Sequence, residues 1–106
     1  MARVVVRLPS TAKRGQIIEI RTLASHNMET GFRHTENGAL IARDIVTLFV
    51  CRYNDAEIFR AELFPAIAAN PFISFSTVAT ESGTLEFRWS GDNGYSVTES
   101  AKIAVV

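Results

Sequence analysis

The side chains with the widest chemical range in this sequence are one cysteine, Cys51, and two histidines, His26 and His34. Together they could form a thiol–imidazole nucleophile or supply three metal ligands. Their spacing supports neither. Nothing local brings an imidazole to the thiol, and no C-x-x-C or H-x-x-x-H pattern occurs. Cys51 sits in "LFVCRYNDAEIF", residues 48–59, among large apolar residues, where the electropositive, accessible setting of a reactive thiol is missing. No glycine turn matches a phosphate-cradling pattern. The sequence therefore predicts no catalytic residue, no cofactor-binding residue and no metal site, and a chain that is not an enzyme.

The elements that carry these residues are those of one folded domain spanning 1–106. The chain has 106 residues, 47% of them apolar and 21% charged, which is ordinary globular composition. Eleven basic residues balance eleven acidic ones, so no broad field exists to hold nucleic acid or an anionic membrane. A single cysteine excludes an internal disulfide framework. The opening "MARVVVRLPS" is too short an apolar run for a signal peptide, which by itself predicts a cytoplasmic protein.

Turn signals recur at short intervals, and β-branched and aromatic residues fill the intervals between them. The pattern predicts strands at 3–8, 17–23, 44–53, 57–63, 72–80, 84–89 and 95–105. About seven antiparallel strands in this length suit an all-β, immunoglobulin-like β-sandwich. The one competing helix is "AELFPAIAAN", residues 61–70, which Pro65 and Pro71 limit to a turn or two.

Asn54-Asp55 reads as a two-residue hairpin turn, pairing Tyr53 with Ala56, Arg52 with Glu57, Cys51 with Ile58, Val50 with Phe59 and Phe49 with Arg60. Alternation then puts Val46, Leu48, Val50, Phe59, Ala61 and Leu63 on a core face. The opposite face collects Ile45, Phe49, Cys51, Tyr53 and Ile58 with Thr47, Arg60 and Glu62, too apolar for solvent and too charged for a second core. Phe49, Cys51, Tyr53, Ile58 and Arg60 are accordingly expected at a protein interface. Leu85, Phe87 and Trp89 form a buried row on one face of their strand, and Phe72 and Phe75 are expected to pack near a sheet boundary. The loop "SHNMETGFR", 25–33, supports two readings. Met28 caps the core beside a positive-φ Gly31, or His26, Met28, Glu29 and Arg33 face another protein.

Four stretches, "LPSTAKRGQIIEIRTLASHNMETGFR", "IARDIVTLFVCRYNDAEIFRAEL", "PAIAANPFISF" and "ATESGTLEFRWSGDNG", come in an order and spacing that resemble the SoxZ family. The resemblance runs nearly end to end, departing at Asn27 and Asp55, where that family more often has proline and glycine. It implies an immunoglobulin-like, noncatalytic subunit that binds SoxY as a heterodimer, the SoxYZ carrier of sulfur intermediates in thiosulfate oxidation. It also implies that the covalent load rides on a cysteine in SoxY's mobile C-terminal arm. Transient contacts with other Sox enzymes and a periplasmic location reached by co-export with SoxY are further implications. The last of these replaces the cytoplasmic reading. Two alternatives stand beside it: a sulfur carrier that uses its own Cys51, and a stand-alone immunoglobulin-like binding module. A vacant apolar surface further predicts self-association when SoxY is absent.

Overall fold

A computed structural model describes residues 3–106. Eight strands form two sheets: β1 (Arg3–Arg7), β2 (Thr11–Ala12), β3 (Ile17–Ser25), β4 (Val46–Tyr53), β5 (Ala56–Glu62), β6 (Phe72–Val78), β7 (Gly83–Gly91) and β8 (Ser96–Val105). One sheet runs β1-β3-β6 and the other β2-β8-β7-β4-β5, an immunoglobulin-like sandwich. All seven expected strands are present. The eighth, β2, is two residues long and pairs in parallel with Ala104 and Val105. Pro9 cannot donate to a ladder, so the chain leaves β1 there and crosses to the other sheet. Two residues are too few to show a periodicity. The helix that competes within 61–70 does not form: β5 takes Ala61 and Glu62, and a hydrogen-bonded turn follows, with Ile67 N–H donating to Phe64 O.

The core lies between the sheets. β3 alternates strictly, burying Ile18, Ile20, Thr22 and Ala24, and β7 buries Leu85, Phe87 and Trp89 from the other side. At the centre is Phe49, with ring centroids 5.1 Å from Trp89, 6.0 Å from Phe59, 6.1 Å from Phe75 and 6.3 Å from Phe87. Phe59 and Phe75 stack at 4.3 Å and bring β5 of one sheet against β6 of the other.

The hairpin corrects the expected faces. Asn54 and Asp55 both have positive φ, as a two-residue turn that follows strand twist requires, and Tyr53 pairs with Ala56 and Arg52 with Glu57. A β-bulge then intervenes, so Cys51 pairs with Phe59, Val50 with Arg60 and Phe49 with Ala61, leaving Ile58 as the extra residue. Phe49, Cys51 and Tyr53 face the core and are buried. Val50 and Leu48 face outward, and Val50 is shielded in a row between the paired Arg60 and Arg88. The physical reason is that β4 is apolar on both faces. Alternation alone could not choose between them, and long arginine stems can cover an outward valine as well as a core can.

Phe72 is likewise corrected. It and Phe75 are three apart on one strand, so they point to opposite faces: Phe75 packs inward and Phe72 stands exposed.

Candidate partner surfaces

Three connections meet at one end of the sandwich: residues 26–45, residues 63–71 and the 3-10 turn Asp92–Gly94. Long-range hydrogen bonds tie them. His26 N–H donates to Asn70 Oδ1 (3.0 Å), and Asn70 N–H donates back to His26 O (2.7 Å). Arg43 grips Asp92 with two bonds of 2.9 and 3.0 Å, and Ile45 N–H adds a third to the same carboxylate at 3.1 Å. The Arg43 guanidinium and then the Ile45 amide hold the Asp92 carboxyl below the usual carboxylate range, against some desolvation. Because the folded form favours the ionised state, this tie is complete above that range and weakens as pH falls into it.

The loop residues singled out in the sequence divide by role. The His26 ring lies edge-on to Tyr95 at 4.8 Å, and its Nδ1 accepts from Met28 N–H at 2.9 Å. That leaves Nε2 to carry the proton, 3.7 Å from Asp44 Oδ1. Met28, at φ +54°, is buried, and its sulfur accepts from Val46 N–H at 3.2 Å. Gly31 also has positive φ, and a Cβ there would fall 2.9 Å from Arg43 Cβ. Glu29 exchanges both backbone bonds with Asp44 and is clasped by Arg33 at 2.6 and 3.0 Å, which lowers its pKa. Arg33 is the most exposed of the four. His26, Met28 and Glu29 thus brace the loop, and Arg33 reaches outward from it.

Asn70, Arg43, Asp92 and Tyr95 complete this end and were not singled out by sequence reasoning. Their partners lie 44 to 49 residues away for the Asn70 and Asp92 bonds, so no local pattern announces them. The only hint is the "GDNG" turn that contains Asp92.

Of the five residues expected at an interface, Phe49, Cys51 and Tyr53 are in the core and present nothing to a partner. Tyr53 donates its hydroxyl hydrogen to Glu81 O. Ile58 is half-buried at the bulge, and Arg60 is exposed but held by Glu57 at 2.8 and 3.1 Å. The outer face of the five-stranded sheet around Arg60 is a shallow polar concavity of about 580 Å³, lined by Leu48, Val50, Arg52, Glu86 and Arg88 among others.

Burial pushes the Cys51 thiol up to about 12. At neutral pH it stays protonated, walled in by Phe49, Phe59 and Phe87 on neighbouring strand positions. A disulfide reagent is expected to leave Cys51 untouched in the folded chain and to titrate one thiol once the chain is unfolded. The unfolded thiol ionises near 9. The contribution of the buried Cys51 thiol to stability is therefore complete below pH 9 and is lost as pH rises from there toward 12, and Cys51→Ala is expected to remove that part of the alkaline slope in urea titrations.

Two sheets joined through an aromatic core, with Greek-key crossing of the chain between them, make this an immunoglobulin-like β-sandwich. Among the described residues no group of three or more His, Cys, Asp or Glu side chains is placed to hold a metal ion. The family described as "Sulphur oxidation protein SoxZ" matches residues 6–102, and the chain belongs to that family. It is thus a sulfur-oxidation protein of the SoxZ type. A search of the curated proteins finds no match. Among solved structures, the superoxide reductase (neelaredoxin) from Ignicoccus hospitalis is 15% identical with a TM-score of 0.76, over 97% of this chain and 80% of that one. A putative superoxide reductase from Thermotoga maritima is 14% identical at 0.75, over 97% and 85%. The sulfur carrier protein SoxY from Chlorobium limicola f thiosulfatophilum is 10% identical at 0.68, over 97% and 78%. At these identities the likeness is one of fold.

Proposed function

We propose that this chain is the noncatalytic subunit that binds SoxY and forms with it the SoxYZ carrier of sulfur intermediates during thiosulfate oxidation. The observation that carries the reading is membership of the SoxZ family over residues 6–102 in a chain whose single thiol is sealed in its core. A covalent sulfur carrier needs an accessible thiolate, and Cys51 offers neither access nor ionisation at neutral pH. The load therefore belongs on SoxY, and this chain supplies a rigid sandwich that holds the carrier together. Its loop end, with Arg33 reaching outward, is suited to transient contacts with the enzymes of the pathway. As SoxY's companion it works in the periplasm, exported together with it.

Co-expression with the SoxY of the same organism, with an affinity tag on SoxY alone, is expected to recover both chains in equal amounts. After incubation with thiosulfate and the other Sox proteins, intact-mass measurement is expected to show sulfur adducts on SoxY and an unmodified mass for this chain. An adduct on Cys51, or SoxY eluting alone, would sink the proposal.

A further inference from the structure

The outer faces of the two sheets differ. On the five-stranded sheet, outward Leu48 is half-buried and Val50 buried, and no large apolar side chain on that face is freely exposed. On the three-stranded sheet, Val5, Leu23 and Phe72 pair across all three strands as one row, and they are 40%, 39% and 62% exposed. Ile17 and Val78 pair at the far end of the same face and are also exposed. The neighbouring row is Arg7, Arg21 and Ser74. Val5, Leu23 and Phe72, with Arg7, Arg21 and Thr22, line a depression of about 260 Å³. An apolar side chain fits the floor of such a depression, and a carboxylate beside it reaches the guanidinium groups.

We infer that the outer face of the β1-β3-β6 sheet, centred on the Val5–Leu23–Phe72 row, is where SoxY docks, through apolar side chains flanked by carboxylates. This rests on the reading of the chain as SoxY's companion subunit. Charge selects the occupant. The face carries Arg3, Arg7 and Arg21 against one acid, Glu19, which is bonded to Arg21 at 2.8 Å. Two copies of this chain meeting through it would bring like charges together, which disfavours self-pairing, whereas an acidic face on a different chain is attracted. Size sets the extent. Three strands about 4.8 Å apart and about 24 Å long offer a footprint of roughly 350 Å². A stable interface takes about 800 Å² of accessible surface from each partner. Contact must therefore spread beyond the strands, and the loop that feeds directly into Phe72 carries the exposed Ile67.

The test uses the full chain with the SoxY of the same organism. Leu23→Glu with Phe72→Glu is expected to weaken the complex at least about tenfold, because central apolar contacts dominate such interfaces. Both residues are exposed, so the unfolding midpoint should stay near that of the unsubstituted chain. Arg7→Glu with Arg21→Glu is expected to slow association and flatten its salt dependence. Arg88→Glu, on the outer face of the other sheet, should leave binding unchanged. If the unsubstituted chain binds SoxY and the Leu23/Phe72 variant binds equally well, or if only Arg88→Glu weakens binding, this docking face is wrong and the subunit reading stands. If the unsubstituted chain ignores SoxY, the subunit reading itself fails. Dimerisation of the isolated chain that Leu23→Glu abolishes would overturn the assignment of SoxY to this face.

Discussion

Phe49→Ala is expected to destabilise the isolated chain by about 3–5 kcal/mol, measured by urea or thermal unfolding without any partner present. The ring is fully buried and approaches four other aromatic rings: Trp89, Phe59, Phe75 and Phe87. Removing it forfeits the transfer free energy of a phenyl group and opens a cavity that rigid strands on either side cannot close. Domains of this size are stable by only about 5–15 kcal/mol, so much of the population would unfold near the upper end of the loss. The result separates two roles for this residue. An interface residue would leave the isolated chain's midpoint unchanged and weaken only the complex. A core residue lowers the midpoint first, and any loss of partner binding then follows from unfolding. An unchanged midpoint in Phe49→Ala would contradict the inward orientation of β4.

Gly91→Ala is expected to cost about 1–3 kcal/mol, a large effect for adding one methyl group. The backbone at Gly91 is extended, with φ −169°, so conformational strain plays no part. Space does. A Cβ there would collide with Ile45 O and sit 2.9 Å from Val46 Cα, both backbone atoms of the adjoining segment. This is where the β4–β7 register shifts, between Val46 and Leu48. The carbonyl of Ile45 also accepts from Asp92 N–H at 2.9 Å, and Gly91 N–H donates to Tyr95 O at 2.9 Å. Pushing the strands apart therefore also strains the Asp92 clasp on Arg43 and Ile45. Along with the lower urea midpoint, faster amide exchange at Ile45 and Asp92 is the expected sign. Wild-type exchange at both amides would show that the methyl group had been accommodated elsewhere.

The strands were legible because each has a residue pattern and a boundary. Ile17 to Ser25 alternates, and Gly15 before it and the Asn-Asp turn at 54–55 punctuate as their backbone angles demand. The bulge was not legible. Ile58 and Phe59 are both large and apolar, and either could oppose Cys51. What decides is Phe75 on the other sheet, which stacks on Phe59 and draws it inward. Phe72 illustrates the same limit, since its type says core and its place in the strand says surface. At the loop end, the local bond from Met28 to His26 spans two residues, within reach of sequence reasoning. The ties from His26 to Asn70 and from Arg43 to Asp92 are not, being created when distant loops are brought to one end of the sandwich.

The sequence by itself determined the class of the fold, the number and place of nearly all its strands, the hairpin turn and the family. Those depend on local backbone preference and on alternation, which neighbouring residues carry. Only the tertiary structure decided which side of β4 is inside, and with it the fate of Cys51. A strand apolar on both faces has two nearly equivalent ways to pack, and the choice is made by side chains on other strands. Trp89 and Phe87 beside it and Phe75 across the core make that choice, and they turn the one thiol inward.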